Sequence, residues 1–259
     1  MHASRGQAWA DIVTLMRRAL IRYQRRPDVI VFILVQPFII LLLFRYVIGG
    51  AIRIPGVSYV QYLTPAVIAL AIINASSALG GGLTEDLVSG TIDHLRALPI
   101  RRSAYLTSRV LFDIARNLFV IPLIGLLGVA VGFHLSGTVP NIVLAVALVL
   151  LLGVAFAWIS ILIGLWSGSI EATQGILVLV FILAGFLSSG FVPPSTMPSW
   201  LRGIAEASPV SHVDNALRVL TTNTSGPVTH EVVAALAWIA AILFVTIPLS
   251  IRRYSRHAQ

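Results

Sequence analysis

The ten carboxylates and six histidines of this 259-residue sequence are the groups that could serve as general acids, bases or metal ligands. Their spacing argues against each role. His230 and Glu231 open the pattern by which two histidines one helical turn apart hold zinc, but position 234 is alanine, so the second ligand is missing. The run Gly80–Gly81–Gly82 cannot act as a phosphate-binding loop, which needs a lysine after its glycines; the sequence contains no lysine. No serine sits in a G-x-S-x-G elbow. With no cysteine, thiolate metal sites and disulfides are excluded. The chain reads as having no catalytic centre, no cofactor site and no metal site of its own.

One dense group of polar residues remains, in TEDLVSGTIDHLRALPIRRS, residues 84–103. Glu85, Ser89, Asp93 and Arg96 fall at i, i+4, i+8 and i+11, beside an apolar stripe of Leu87, Thr91, Leu95 and Leu98. Asp86 adds a second carboxylate near the start. Thr84 is suited to cap a helix here, early carboxylates suit its positive end, and Pro99 stops it. Gly90 in the middle weakens such a helix by about 1 kcal/mol, so it calls for docking against another surface. The chemistry this pattern fits is protein recognition: a short helix over 84–98 with a greasy face on its own domain and a charged face turned outward.

The elements that must position this segment follow from composition. Apolar residues make up 57% of the chain and charged ones 11%, with a mean hydropathy of +0.92. A water-facing surface cannot be clothed with so few charges, whereas runs of about 20 apolar residues suit a bilayer. The pattern predicts an all-α integral membrane protein, one domain over 1–259 with six spans between residues 28 and 250. These lie near Asp28–Gly50, Gln61–Leu83, Ser103–Phe133 (with Ser103 as a helix cap), Pro140–Ser167, Ala172–Val192 and Glu231–Ser250. Residues 251–259 form a tail. Before the first span, Trp9, Ile12, Val13, Met16, Leu20 and Tyr23 make the stripe of an amphipathic helix in 1–27 that rests on a membrane surface.

All 18 basic side chains are arginine, giving a net charge of +8. A soluble protein so basic would suggest nucleic acid; here the charge marks membrane flanks and membrane lipid, with no nucleic acid as partner. Six arginines precede the first span, Arg96, Arg101, Arg102 and Arg109 lie around the 84–109 segment, and Arg252, Arg253 and Arg256 follow the last span. Only Arg45, Arg53, Arg202 and Arg218 fall on the other side, and Arg116 lies within the third span. Both termini and the 84–98 helix are therefore expected in the cytoplasm.

Polar residues within spans are costly and need partners. Asp113 and Arg116, spaced i, i+3, are read as an intramembrane pair. Gln36 and Asn74 either line a path or bond between helices. Glu171, in the tight turn between the fourth and fifth spans, can meet a cytosolic partner or face the helix dipole. On the far side, three prolines (Pro193, Pro194, Pro198) interrupt the helix. The sets Trp200–Leu201–Ile204 and Val210–Val213–Leu217–Leu220 then predict two short amphipathic helices in 193–220, dipping into the outer leaflet.

Three stretches carry a family resemblance: QPFIILLLFRYVIGGAI (36–52), EDLVSGTIDHLRALPIRRSAYLTSRVLFD (85–113) and FLSSGFVPPSTMPSWLRGIAEASPVSHVDNALRVL (186–220). In them the chain resembles ABC-2 type exporter permeases, most of all the daunorubicin/doxorubicin-resistance class. TPAVIAL at 64–70 departs from that class, which more usually has a glycine after the proline. The resemblance implies that 84–98 is a coupling helix seated in a groove of a separate ABC ATP-binding subunit, which binds the ATP and magnesium. Glu85, Asp86, Ser89, Asp93, Arg96 and Glu171 are then the residues that meet it. It also implies pairing with a second copy or a homologous permease, re-entrant outer helices, and a lipophilic substrate (drug, antibiotic or lipid) moved across the bacterial inner membrane. The competing reading is a self-sufficient secondary transporter or channel. The lack of an internal repeat, and an ion pair near one end of its span, argue against it.

Overall fold

The computed structural model describes residues 27–49, 54, 57–90, 102–222 and 228–256. The amphipathic helix expected in 1–27 lies almost wholly outside them, as do Asp93, Arg96 and Pro99. Among the described residues the chain is helical and no strand occurs. The helices are α1 (Pro27–Leu43), continued by a π turn (Phe44–Ile48), α2 (Tyr59–Val88), α3 (Arg102–Ala130) and α4 (Val139–Trp166). They continue with α5 (Ile170–Phe186), a 3-10 turn (Pro194–Thr196), α6 (Ser199–Ala207), α7 (Pro209–Thr222) and α8 (Val228–Arg256).

Local sequence sets several of these boundaries. Ser58 starts α2, its hydroxyl accepting a bond from the Gln61 amide at 3.4 Å, and Ser169 starts α5 in the same way with Ala172 at 3.1 Å. Pro140 occupies the first turn of α4, where its missing N–H costs nothing. Gly90 ends α2: its φ of +70° is the left-handed conformation that terminates helices, and its amide bonds the Leu87 carbonyl.

Two expected boundaries are corrected. The helix containing Glu85 and Asp86 does not begin at Thr84, because α2 runs unbroken to Val88. Thr84 is no cap: its hydroxyl lies 3.1 Å from the carbonyl oxygens of Gly80 and Gly164 and 2.9 Å from the Thr173 hydroxyl. Likewise α3 starts at Arg102, which places Ser103 inside the helix. At the far terminus α8 continues through Arg256, so residues 251–256 of the expected tail are helical.

Among the described residues four helices are long and apolar enough to cross a membrane: Tyr59–Val88, Tyr105–Ala130, Val139–Trp166 and Val228–Tyr254. Two shorter apolar helices, Val35–Ile48 and Ile170–Phe186, stand where the first and fifth spans are expected. A 17-residue helix such as Ile170–Phe186 is about 26 Å long, slightly short of a hydrocarbon core. The two helices expected in 193–220 are α6 and α7. On α6, Trp200 and Ile204 are exposed, whereas α7 turns Val210, Val213, Ala216, Leu217 and Leu220 into the bundle.

α2 is the central helix: 72% of its apolar window is buried, against 17% for α8. Its most extensive partner is α4. Small residues allow that approach, with Ser76, Gly80 and Thr84 on α2 meeting Gly153, Ser160 and Gly164 on α4. Around this seam Leu63, Ile72, Ile73, Leu148, Leu152 and Val213 are fully enclosed.

The bundle has two distinct ends. At one, Asp86 meets Arg109, Thr84 meets Thr173, Tyr105 stacks on Tyr254 and Arg253 lies 5.5 Å from the Trp166 ring. At the other, the Tyr59 hydroxyl bonds the Phe191 carbonyl at 3.1 Å, and the Ser136 and Gly137 amides bond Thr221.

Candidate functional site

The first residues of the segment singled out for recognition, 84–90, lie at the Asp86 end of the bundle. Glu85 and Ser89 are exposed there, on the last turn and cap of α2. Asp86 is not: only 9% of it is accessible, because with α2 unbroken it falls on the face of Leu79 and Leu83. Asp86, which the resemblance placed among the residues meeting an ATP-binding subunit, is thus mostly enclosed by its own chain. Its carboxylate accepts a bond from the Tyr105 hydroxyl at 2.5 Å and pairs with Arg109. Arg109 also reaches the carbonyls of Leu79 (3.3 Å) and Gly82 (3.2 Å), so one guanidinium ties the start of α3 to the last two turns of α2. Residues 91–101 run between these anchored points. Glu171 is exposed in the first turn of α5, and the Thr84–Thr173 contact brings it to the same end as Glu85.

Sequence reasoning passed over Tyr105 and Arg109 as site residues. The available signal was the stripe Tyr105, Arg109, Asp113, Asn117 at four-residue spacing, a polar line down an otherwise apolar helix. Its inner half is the polar cluster of the bundle. Arg116 pairs with Asp113, which also accepts bonds from Ser76 (2.6 Å) and Asn117 (3.0 Å). Gly153 leaves the room: a Cβ there would lie 3.2 Å from the Ser76 hydroxyl and 3.3 Å from the Asn117 amide. Charge in a low-dielectric interior is stable only with such partners.

Gln36 and Asn74 bond directly across α1 and α2, at 2.6 Å. The cleft around them, between α1, α2 and α5, is lined by Pro37, Ile40, Leu70 and Phe181 and leaves about 10 Å³ of free volume. That is room for about one water molecule.

At the opposite end Arg218 on α7 acts as a clamp. It donates to the carbonyls of Tyr62 (3.0 Å), Ser189 (2.8 Å) and Gly190 (3.0 Å) and to Asn215 (2.8 Å), with its guanidinium 3.6 Å from the Tyr62 ring centre. It thereby closes the irregular segment 188–190 onto α2. Beside it, His212 Nδ1 lies 2.7 Å from a Glu231 oxygen, which joins α7 to α8; Glu231 is thus engaged in a helix–helix clasp.

Asp214, one turn before Arg218 on the same short helix, is buried with one carboxylate oxygen free of any hydrogen bond. Burial pushes its carboxyl from the ordinary 3.8 up to about 7, with Arg218 opposing the rise. Between these values the folded chain holds a proton that the unfolded chain has lost. Stability is therefore greatest at low pH and falls as pH rises from about 4 to about 7. The melting temperature of the solubilised protein is expected to drop by about 5 °C more between pH 5 and pH 8 than that of Asp214→Asn. Parallel pH profiles for the two proteins would contradict this assignment.

A family model for the ABC-2 type transporter matches residues 10–221. The chain is 30% identical over 251 residues to the daunorubicin resistance ABC transporter permease protein DrrB1 of Streptomyces coeruleorubidus, covering 97% of this chain and 88% of that protein. It is 28% identical over 253 residues to a probable doxorubicin resistance ABC transporter permease protein, DrrC, of Mycobacterium tuberculosis, covering 96% and 90%. A putative transport permease, ycf38, of Cyanophora paradoxa is 26% identical over 220 residues, covering 83% and 75%.

Proposed function

The chain belongs to the ABC-2 type transporter family, and from that membership we propose that it is the permease subunit of an ATP-driven exporter of a lipophilic drug or lipid. It works in the bacterial inner membrane with both termini in the cytoplasm, the side favoured by thirteen of its arginines. The ATP and magnesium reside on a separate ATP-binding subunit, and two permease chains, identical or homologous, enclose the route. The names of the relatives support a substrate of the daunorubicin kind.

The single observation that carries the coupling model is the anchored exit of the 84–103 segment. Asp86, Tyr105 and Arg109 hold both of its roots, while Glu85, Ser89 and Glu171 stand exposed at the same end. In this reading Asp93 and Arg96 lie on the segment that the ATP-binding subunit grips, and Glu85, Ser89 and Glu171 flank it. Asp86 fixes the segment's root and makes no contact with the motor. Nucleotide binding moves the segment, and its rigid attachment passes the movement to α2 and α3, where one state or the other is favoured by differential contact. Gln36 and Asn74 either line the route or hold α1 to α2, the role their direct 2.6 Å bond favours.

The test uses inside-out vesicles containing the permease and its ATP-binding subunit, with daunorubicin uptake followed by fluorescence. Glu85→Lys combined with Glu171→Lys is expected to leave membrane insertion intact and to cut ATP-driven uptake at least about tenfold, since reversed charges at a recognition surface cost about 1.4 kcal/mol or more. Unchanged uptake would remove these residues from the coupling surface. Movement of substrate by the purified chain alone, driven by an ion gradient, would replace the model with that of a secondary transporter.

A further inference from the structure

We propose that the chain binds one anionic glycerophospholipid in the cleft formed by α2, α3, α4 and α7, its tail filling an apolar cavity and its phosphate seated on Arg45. The cavity holds about 370 Å³ and is lined by Pro65, Ile121, Gly125, Phe133, Val146 and Leu217, among others, all without charge. That is more than twice the volume of an apolar cavity that accepts benzene, about 150 Å³, and such cavities exclude water. The walls are almost wholly apolar and offer water no hydrogen-bond partners. The occupant must therefore be hydrocarbon. Leu126, Val129 and Leu135 line the same cavity and are 50% or more exposed, so it opens onto the outer, apolar surface of the bundle, where the hydrocarbon at hand is a lipid tail.

The cation comes from the π turn that ends α1. Gly132 adjoins the cavity-lining Phe133 and has a φ of +101°; a Cβ built on it would lie 2.9 Å from an Arg45 Nη atom. Glycine suits the backbone turn there, and its missing Cβ leaves the flexible guanidinium room to lie against it. Among the described residues no carboxylate pairs with Arg45, and its guanidinium lies 5.2 Å from the Tyr46 ring centre. A guanidinium with unused donors at a membrane-facing helix end matches a phosphodiester, which it can hold through two parallel bonds. The greasy cavity and this cation, which pairs with no carboxylate among the described residues, adjoin through Gly132 and Phe133, away from the Gln36–Asn74 cleft between α1, α2 and α5. The site is independent of the transport reading. Only its placement in the outer leaflet rests on the proposed orientation.

The experiment is native mass spectrometry of the purified full chain, titrated in micelles with phosphatidylglycerol, phosphatidylcholine or oleate. The wild type is expected to retain one phosphatidylglycerol about tenfold more tightly than either of the others. Arg45→Gln is expected to erase that preference, and Arg45→Lys to keep most of it. Gly125→Leu should abolish retention, since a Cβ at Gly125 meets no atom within 4 Å and the added side chain enters the cavity freely. Val146→Phe, a second filling variant, guards against a fold defect in the first, and melting temperatures identify any such defect. Equal retention of phosphatidylglycerol and phosphatidylcholine, or an unchanged preference in Arg45→Gln, would overturn the headgroup assignment. Wild-type retention in both filling variants would overturn the tail site, and tighter binding of oleate would overturn the choice of a phosphodiester.

Discussion

Gly80→Ala is expected to destabilise the protein by about 4 kcal/mol, whereas Gly81→Ala, one residue on, is expected to be neutral or to stabilise it by up to about 1 kcal/mol. The difference lies in what a single methyl group would meet. At Gly80 it would lie 2.7 Å from the Ser160 carbonyl carbon and closer still to its oxygen, both backbone atoms of α4. At Gly164, facing it across the seam, a Cβ would lie 2.6 Å from the Gly80 oxygen. Neither helix can yield locally, because Ser160 bonds the Ser76 carbonyl at 3.2 Å and Thr84 bridges to Gly164 and Thr173. α4 would have to retreat along its length, opening the fully enclosed layer of Ile72, Leu148 and Leu152. A Cβ at Gly81 meets nothing within 4 Å, and alanine favours the helix. Melting temperature and membrane yield of the two variants, measured side by side, decide the matter. Equal behaviour of both would show that the α2–α4 seam is not set by close backbone approach.

The triple glycine thus has a packing role at its first position, and how far that was legible shows where sequence reasoning reaches. The absence of a following lysine ruled out phosphate binding, but three adjacent glycines give no hint of which one faces a neighbour. That depends on the rotation of α2, fixed only when the helices meet. The same limit accounts for Asp86. The helical pattern continues past Leu83 without a proline, and Thr84, which by type suits a cap, spends its hydroxyl on Gly80, Gly164 and Thr173 instead. The true break, the left-handed Gly90, was visible only as a weak spot within one helix. Once α2 is extended to Val88, the rotation that buries Leu79 and Leu83 carries Asp86 inward with them. Arg218 was hidden for another reason: its partners are the carbonyls of Tyr62, Ser189 and Gly190, and backbone acceptors leave no mark in sequence. By contrast, the Asp113–Arg116 spacing and the apolar sets of α7 were readable because both ends of each interaction lie on one helix, where periodicity fixes the geometry.

Breaking the Asp86–Arg109 pair is expected to cost transport more than it costs folding. Among the described residues, Asp86→Ala leaves a 17% exposed guanidinium with the Leu79 and Gly82 carbonyls and the Tyr105 ring, and Arg109→Ala leaves the carboxylate with the Tyr105 hydroxyl. Each single change is expected to destabilise by about 3 kcal/mol, because a buried charge loses its partner. The double variant Asp86→Ala with Arg109→Ala removes both charges and is expected to recover about 1–2 kcal/mol of the summed loss. Its transport is not expected to recover. The pair, with Tyr105, is what fixes the direction in which α2 leaves the bundle and α3 returns, and residues 91–101 connect those two points. Without it, under the proposed coupling, a segment moved by an ATP-binding subunit is expected to shift while α2 and α3 stay in place, so that ATP is hydrolysed without effect on the bundle. The expected signature is ATPase activity within about twofold of wild type and drug uptake at least about tenfold lower, a barrier change of about 1.4 kcal/mol or more. A uniform loss of both would reduce the pair to a stabilising contact. Recovery of uptake in step with the double variant's stability would show that coupling runs through some other attachment, with α8 the nearest alternative through its Tyr254–Tyr105 stack.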